Sequence, residues 1–348
     1  MPTIMPKGYK SSMGIVQTER CIKFVKDHFE RGLARRLRLN RITAPLFVRG
    51  DSGVQDNLNG VERPVRFAVA ADGDAGYEIV QSLAKWKRLA LHKYGFPPGE
   101  GIYTDMNALR PDEPALDNLH SVYVDQWDWE RVITPQERNL DYLKAVVRDI
   151  WAAIKETEWE VGQTFAPGAP GSPRLPGDIH FIHTEELARR YPKMTSWQRE
   201  REACKEHGAV FIIGIGGELP DGTIHDGRAP DYDDWTTPTG PDTKGLNGDI
   251  FVWNGLLEIP FELSSMGIRV DAPTMLKQLE VRGCPERKLL AWHRLLLSGA
   301  LPQSIGGGIG QSRLCMLLMQ RAHIGEVHVG LWPQEVLDAC RQAGIQLL

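Results

Sequence analysis

Two extended runs separated by a pair of prolines lie between Gly101 and Glu130, and they constrain the chain more than any other stretch because they decide which side chains can share a sheet face. From His120 to Glu130 the residues alternate: Val122, Val124, Gln126 and Asp128 fall on one face, and Tyr123, Trp127 and Trp129 on the other, as a period of two requires. Gln126 and Asp128 are then roughly 6.6 Å apart along one face, from about 3.3 Å of rise per residue, which suits one small polar ligand. The second run, Gly101 to Arg110, ends where Pro111 and Pro114 lack the N–H that a ladder needs. The expected unit is an antiparallel pair joined by a loop of roughly ten residues. Arg110, at the strand end, leans over the face that carries Gln126 and Asp128.

At 348 residues the chain exceeds the roughly 250 to 300 at which single cores stop growing, so it is one large domain with insertions or two domains. Apolar content of 42% and charged content of 25% exclude disorder, collagen and coiled coil as the whole-chain class. A net charge of −4 argues against affinity drawn from a nucleic-acid backbone. The cysteines (Cys21, Cys204, Cys284, Cys315, Cys340) form no C-x-x-C pair, which fits a reducing compartment. The longest strongly apolar run, 209–215, is far short of the roughly 20 residues of a membrane span. The first residues lack the apolar centre of a secretory signal and read as a frayed tail.

Along the chain, Val25, Phe29, Leu33 and Leu37, with Ile22 beside them, put one apolar stripe on a helix over 16–37, which docks or dimerises through it. Its lysines and arginines fit a solvated face better than nucleic-acid contact. Residues 41–48 are extended, and Pro45 places them at a sheet margin or subunit boundary. Asp56, in the polar loop 50–60, is a turn-former or a functional acid. After a short strand over 77–82, Lys85 and Lys87 oppose the dipole at a helix start, so one of them faces an anion or both snorkel at the surface. Thr134, Pro135 and Glu137 spell another helix start, with Leu140, Leu143, Val147, Ile150 and Ile154 on its buried face.

Residues 167–177 form an irregular excursion. A strand over 178–183, a capped helix over 195–207 and a strand over 209–215 buried on both faces follow. His180 and His183 have no third ligand nearby and read as ordinary strand residues. Residues 216–248 are acidic and loop-like, without calcium-loop spacing. Asp249–Trp253 and Glu258–Ser265 form a hairpin-like pair that puts Glu262 and Ser264 on one face, and Asp249 with Glu262 either offers the hard oxygens that magnesium prefers or stands solvated. Helices are expected at 273–281 and 285–298. Gly306, Gly307, Gly308 and Gly310 permit close backbone approach, and a helix beginning near Ser312 aims its N–H groups at the same place. That run serves a phosphate or tight helix–sheet packing, and Arg313 in the helix's first turn favours an anion. It matches neither the dinucleotide fingerprint nor a P-loop, and no serine-hydrolase or zinc-protease spacing occurs.

The helix with a proline-bearing strand (16–48), the strand–loop–strand with Arg110, and the glycine-rich segment ending in Arg313 occur in the order of the three motifs of class II aminoacyl-tRNA synthetases. More closely still, the chain resembles the ammonia-dependent (type A) asparagine synthetases, or aspartate–ammonia ligases, in QDNLNG, SLAKWKR, ALRPDE, HSVYVDQWDWE, APDYDDW, GLNGDI, FELSSMGIRVDA and GGGIGQSR, which span Gln55 to Arg313. The resemblance implies an α+β fold, an antiparallel sheet flanked by helices, as one catalytic domain over 15–348 behind a flexible tail at 1–14. It implies a cytoplasmic homodimer formed through the first helix and the Pro45 strand, with no membrane or nucleic-acid partner. It also implies the reaction: L-aspartate, ATP and ammonia become L-asparagine, AMP and pyrophosphate through a β-aspartyl-adenylate.

Carried over residue by residue, Arg110 would hold the α-phosphate, Arg313 the triphosphate or the acyl-phosphate, and Asp249 with Glu262 would bind Mg²⁺. Ser82, Lys87, Gln126 and Asp128 would line the amino-acid pocket, with Asp56 in the adjacent loop; attack by ammonia on the mixed anhydride needs a carboxylate to accept its proton, and Asp56 is the candidate. Ser121, Ser264, Ser265, Arg269, Gly308 and Gly310 would border the nucleotide. An aspartyl- or asparaginyl-tRNA synthetase would share this core but needs an anticodon-binding module and a basic RNA-facing surface. A non-catalytic, amino-acid-binding paralogue would have no need to keep Arg110, Gln126, Asp128, Glu262 and Arg313 together.

Overall fold

The structure, a computed structural model, describes residues 3–56, 58, 62–73, 75–165 and 174–348. Its strands are β1 (Leu39–Arg41), β2 (Phe47–Arg49), β3 (Arg66–Ala68), β4 (Gly76–Ile79), β5 (Gly101–Leu109), β6 (Tyr123–Val132), β7 (His180–His183), β8 (Ala209–Ile213), β9 (Pro238–Gly240), β10 (Thr243–Lys244), β11 (Asn247–Asn254), β12 (Ile259–Ile268) and β13 (Ser304–Gly310). The helices are α1 (Ile15–Leu37), α2 (Ala84–Tyr94), α3 (Leu140–Phe165), α4 (Thr184–Arg190), α5 (Ser196–His207), α6 (Ala272–Val281), α7 (Ala291–Leu297), α8 (Gln311–Leu318) and α9 (Gln334–Gln342).

Among the described residues, eight strands make one sheet in the order β1-β5-β6-β13-β12-β11-β8-β7. The sheet is antiparallel, as expected, except at its two edges, where β1 pairs with β5 and β7 with β8 in parallel. Parallel neighbours need a long crossover, and both edges have one: α4 and α5 lie between β7 and β8, and residues 42–100 lie between β1 and β5. Within that second crossover, β2, β4 and β3 form a small antiparallel sheet.

The apolar stripe of α1 is used inside the molecule. Val25, Phe29, Leu33 and Leu37 are fully buried, and the Phe29 ring lies 4.7 Å from that of Trp127 on β6. Leu143, Val147, Ile150 and Ile154 of α3 complete the same core. Burying a ring such as Phe29 contributes about 2–3 kcal/mol, so this stripe holds the subunit together and is not available as a dimer face. The basic face of α1 is met by carboxylates, Lys26 by Asp125 at 2.9 Å and Arg35 and Arg36 by Glu156 at 2.9 and 3.1 Å.

Several local expectations are corrected. The connection after β5 runs 110–122, longer than a hairpin loop, and Pro45 lies between β1 and β2, outside both strands. Thr134 and Glu137 do form a capping box, but on a single 3₁₀ turn at Pro135–Glu137. The helix expected over 285–298 is divided: Pro285–Leu289 is 3₁₀, Leu290 is extended, and α7 follows. The N-terminal tail is fastened rather than frayed, because the Ile4 N–H donates to Asn118 Oδ1 at 2.6 Å and the Tyr9 hydroxyl donates to Glu326 at 2.8 Å. Most of the 167–177 excursion lies outside the described residues.

His323 gives the fold a pH dependence. It is buried, and its Nδ1 accepts from the Gly325 N–H at 3.0 Å, which requires the neutral ring. Burial pushes its pKa down from 6.5 to about 4. Below the unfolded value the unfolded chain binds a proton that the folded protein refuses, so the stabilisation is complete above pH 6.5 and is lost as pH falls toward 4. That loss is on the order of 3 kcal/mol. The stability difference between wild type and His323→Asn, from urea unfolding at pH 7 and pH 4, should shrink by about this amount; an unchanged difference would contradict the assignment.

Candidate active site

The face of β6 turned away from Trp127 and Trp129 closes the floor of a cavity of about 350 Å³. Gln126 and Asp128 project into it as the alternation expects. The neighbouring strand β13 sets Gly306, Gly308 and Gly310 opposite Glu130, Asp128 and Gln126. A β-carbon at Gly308 would stand 2.7 Å from Asp128 Oδ1 and closer still to the Gln126 amide oxygen. One at Gly306 would collide with the Glu130 carboxylate. The glycines therefore clear one side of a central strand so that acids and amide can occupy it. They are not a phosphate loop, and the N-terminus of α8 is already met by protein, the Ser312 N–H donating to Asp125 Oδ1 at 3.0 Å.

Around this floor the charges come in pairs. Lys87, buried in the first turns of α2, sits 3.1 Å from Asp128 Oδ1 and donates to the Gly307 carbonyl at 2.8 Å. Burial lowers the Lys87 pKa and Asp128 opposes that shift. Both α2 lysines face anions, since Lys85 pairs with Asp231 at 3.1 Å, and neither snorkels. Ser82 lies at the cavity wall before α2, its hydroxyl accepting from the Ala84 N–H at 3.1 Å. Asp56 is fully buried; its Oδ1 accepts from the Leu58 N–H at 3.1 Å, and among the described residues Oδ2 has no partner at hydrogen-bond geometry. Burial raises its pKa to about 6 against the pull of Lys85.

Two guanidiniums lie at the other end. Arg110 leaves β5 and donates to the Gln81 carbonyl at 3.2 Å, and among the described residues it forms no ion pair. Burial lowers its pKa, and the nearby Arg313 lowers it further. Arg313, in the first turn of α8, reaches back to β12, where Nη1 donates to the Glu262 carbonyl at 3.1 Å and lies 3.3 Å from its carboxylate. Asp249 on β11 lies across from Ser265 on β12, and Arg228 donates to its Oδ1 at 2.6 Å. Burial drives the Asp249 pKa up to about 7; Arg228 opposes this and the Glu262 charge reinforces it. Burial would raise Glu262 as well, but Arg313 holds it below its usual range. Ser121, Ser264 and Ser265 also line the cavity, with Ser264 donating to the Gly308 carbonyl at 2.9 Å.

A cavity that joins an amino-acid-sized polar floor to two arginines and a carboxylate pair has the parts for activating a carboxylate with a nucleotide. The sequence model for aspartate–ammonia ligase matches residues 16–344. The chain belongs to the aspartate–ammonia ligase family. Among relatives of that name, the Parabacteroides distasonis protein is 53% identical over 345 residues, 99% of each chain. The Clostridium tetani protein is also 53% identical over 345 residues, covering 99% of this chain and 97% of its own. In fold, the chain resembles the asparaginyl-tRNA synthetase of Pyrococcus horikoshii complexed with asparaginyl-adenylate: TM-score 0.66, 16% identity, 91% of this chain and 70% of that one. The Entamoeba histolytica asparaginyl-tRNA synthetase gives a TM-score of 0.62 at 14% identity, over 90% and 66% of the two chains. The fold is that of the class II synthetase catalytic core.

For this ligase family member, the segment 216–248 departs most from expectation. Asp231, Asp233 and Asp234 are buried, each against a cation: Lys85, Arg269 and, at 2.5 Å, Arg138. Arg269 lines the cavity, but its guanidinium is committed to Glu130 (Nη2 to Oε2, 2.7 Å) and Asp233, so it braces the floor and offers a nucleotide little free charge. Lys85, Glu130, Arg228, Asp231 and Asp233 were not singled out as site residues. The dipole at the start of α2 pointed to Lys85 and the period of two put Glu130 on the face of Gln126 and Asp128, while APDYDDW carries Asp231 and Asp233 without saying which base meets them and nothing marked Arg228.

Proposed function

We propose that the chain catalyses the ATP-dependent amidation of L-aspartate by ammonia, forming L-asparagine, AMP and pyrophosphate through a β-aspartyl-adenylate. The observation that carries this is the convergence, in one cavity, of Arg110 and Arg313 with Lys87, Asp128 and the fully buried Asp56 carboxylate. In the first step the β-carboxylate attacks the α-phosphorus and the bond to pyrophosphate breaks. Anion meets anion, so Arg110 on the α-phosphate and Arg313 on the departing phosphates cancel the repulsion. Lys87 and Asp128 match the charged ends of an amino acid, and Gln126, Ser82 and the side-chain-free strip of β13 leave room for it.

In the second step ammonia attacks the acyl carbon, the C–O bond to AMP breaks, and nitrogen sheds a proton. Asp56 Oδ2 is the acceptor, and with a pKa of about 6 it is mostly ionised at neutral pH. Asp249 and Glu262 are the residues that would hold Mg²⁺. Their charges repel, and among the described residues no set of three or more acids, histidines or cysteines forms a cage. Magnesium suits such a pair, since it takes one or two carboxylates and fills its shell with phosphate and water. When bound it would neutralise charge on the nucleotide's phosphates. No helix of the described residues is long and apolar enough to cross a membrane, and a cytoplasmic homodimer is part of the same reading. With the α1 stripe occupied, the dimer contact falls to its outer face and to the exposed Leu46 and Phe47.

The test separates the two steps. Aspartate-dependent exchange of labelled pyrophosphate into ATP without ammonia reports adenylation, and asparagine formation with ammonium reports the whole reaction. Asp56→Asn keeps shape and removes the base, so asparagine formation should fall about 100-fold or more while exchange falls far less. Equal losses in both assays would remove Asp56 as proton acceptor, and exchange that does not need aspartate would remove the adenylate.

A further inference from the structure

The two carboxylates that would hold Mg²⁺ each carry an arginine already. Glu262 has Arg313 at 3.3 Å, and those side chains are 40% and 22% exposed. Asp249 has Arg228 at 2.6 Å, where the exposures are 5% and 11%. The second pair is shorter and drier, so it is the firmer hold. Arg228 leaves the irregular stretch 225–229 and reaches the cavity wall because Gly216, at φ +99°, makes way for it: a β-carbon on Gly216 would stand 2.6 Å from that of Arg228. The rest of the guanidinium is poorly provided for. Of its several N–H donors, one makes a hydrogen bond among the described residues, to Asp249 Oδ1. Nε is buried without a hydrogen-bond partner; Asp233 Oδ2 lies at 4.0 Å, and Asp233 is already bound by Arg269. Arg269 shows the contrast, with its guanidinium divided between Glu130 and Asp233. A buried arginine that serves only the fold is saturated in that way, whereas Arg228 stands at a cavity with donors to spare.

We propose that Arg228 is a positioning residue that occupies the metal's side of Asp249 until a nucleotide arrives, so that Mg²⁺ enters with ATP and not before it. The inference rests on Asp249 and Glu262 as the metal carboxylates. With both acids ionised, Arg228 and Arg313 cancel their charge, and a lone divalent cation would be pressed against two guanidiniums. A triphosphate reverses the balance. It brings negative charge into the cavity that both arginines line, which gives each guanidinium another anion to bind. The carboxylate oxygen that Arg228 releases is then open to the metal, which takes one or two carboxylates and fills its shell with phosphate and water. The exchange needs a rotation of one side chain, and no covalent bond is made or broken.

The test counts metal without nucleotide. Mn²⁺ alone is the probe, its free concentration read by electron paramagnetic resonance at pH 8, so that a proton does not take the place the arginine leaves. Wild type should bind it weakly. Arg228→Met should bind it at least about ten-fold more tightly, because the repelling charge is gone, and Arg228→Lys, which keeps a cation there, should stay near wild type. Adding Asp249→Asn to Arg228→Met should abolish the gain. This pattern supports the proposal, since a merely structural arginine would leave the binding of metal unchanged or weaker when removed. No gain in Arg228→Met overturns it, as does a gain that survives Asp249→Asn or appears equally in Arg228→Lys. The assignment of the metal carboxylates is read separately, from Mn²⁺ binding in the presence of ATP. Weaker binding in Asp249→Asn than in wild type keeps that assignment even if Arg228 fails, and equal binding removes the assignment and the proposal together. If Arg228→Met does not fold, Arg228→Gln, which can still donate a hydrogen bond to Asp249, decides by the same criterion.

Discussion

Arg110→Ala is expected to lower aspartate-dependent pyrophosphate exchange by at least about 100- to 1,000-fold while the unfolding transition stays close to wild type. The two halves of that result have one cause. Arg110 lies in the cavity with no ion-pair partner among the described residues, donating to the Gln81 carbonyl, while the charges of Glu262, Asp56 and Glu113 favour it from beyond ion-pair distance. Burial and the nearby Arg313 both work against its charge. In the empty protein such a guanidinium adds little to stability, and removing it relieves repulsion between two like charges. It becomes favourable only when an anion fills the space between, which in the proposed reaction is the phosphate under attack. Arg110→Lys should recover a minor part of the rate, because a point charge cannot reproduce a planar fork on a phosphate. Exchange within ten-fold of wild type in Arg110→Ala, with a normal fold, would take this arginine out of the site.

Arg269→Met should have the reverse profile, a loss of the fold before any question of rate. Glu130 is fully buried on the central strand β6 and receives Arg269 Nε at 3.0 Å, Nη2 at 2.7 Å and the Ser304 hydroxyl at 2.7 Å. The same guanidinium binds Asp233. Removing one partner of a buried ion pair leaves the other uncompensated, at a cost of about 3–5 kcal/mol. That is a large part of the roughly 5–15 kcal/mol by which domains are stable. The denaturation midpoint should fall sharply or the protein should not accumulate in soluble form. Replacing Glu130 with Gln in the same chain should restore part of the loss, since a neutral amide is less costly to bury alone. A midpoint equal to wild type in Arg269→Met would mean that Glu130 does not depend on its cation.

Those two arginines mark where the sequence was informative and where it was not. The placement of Gln126 and Asp128 against Trp127 and Trp129 follows from a local period of two, and the docking stripe of α1 from a local period near four, so both could be read by counting along the chain. The ion pairs could not. Asp231, Asp233 and Asp234 look like a solvated acidic loop because their partners, Lys85, Arg269 and Arg138, lie far away in sequence, and burial of an acid shows only when its cation arrives through the fold. The glycine run was ambiguous for another reason. Spacing does not distinguish glycines that loosen a turn for a phosphate from glycines that strip one side of a strand, and here alternate members face Gln126, Asp128 and Glu130 of β6. The parallel edges were hidden in the same way, since strand direction depends on how a long crossover travels.

The sheet order has a consequence for how the protein is made. Strands β1, β5 and β6 form one block and β12, β11, β8 and β7 another, and β13 alone joins them. A ribosome delivers Ser304–Gly310 after every other strand of that sheet. Until then, β6 and β12 each present an open row of backbone donors and acceptors, the kind of margin that invites pairing with another chain. The nascent molecule has to hold that gap open for its own last strand. Glycines suit such a late arrival: a strip with few side chains can slide between two formed margins with little steric resistance, and the acid on β6 waits there for the hydroxyl and guanidinium that close over it.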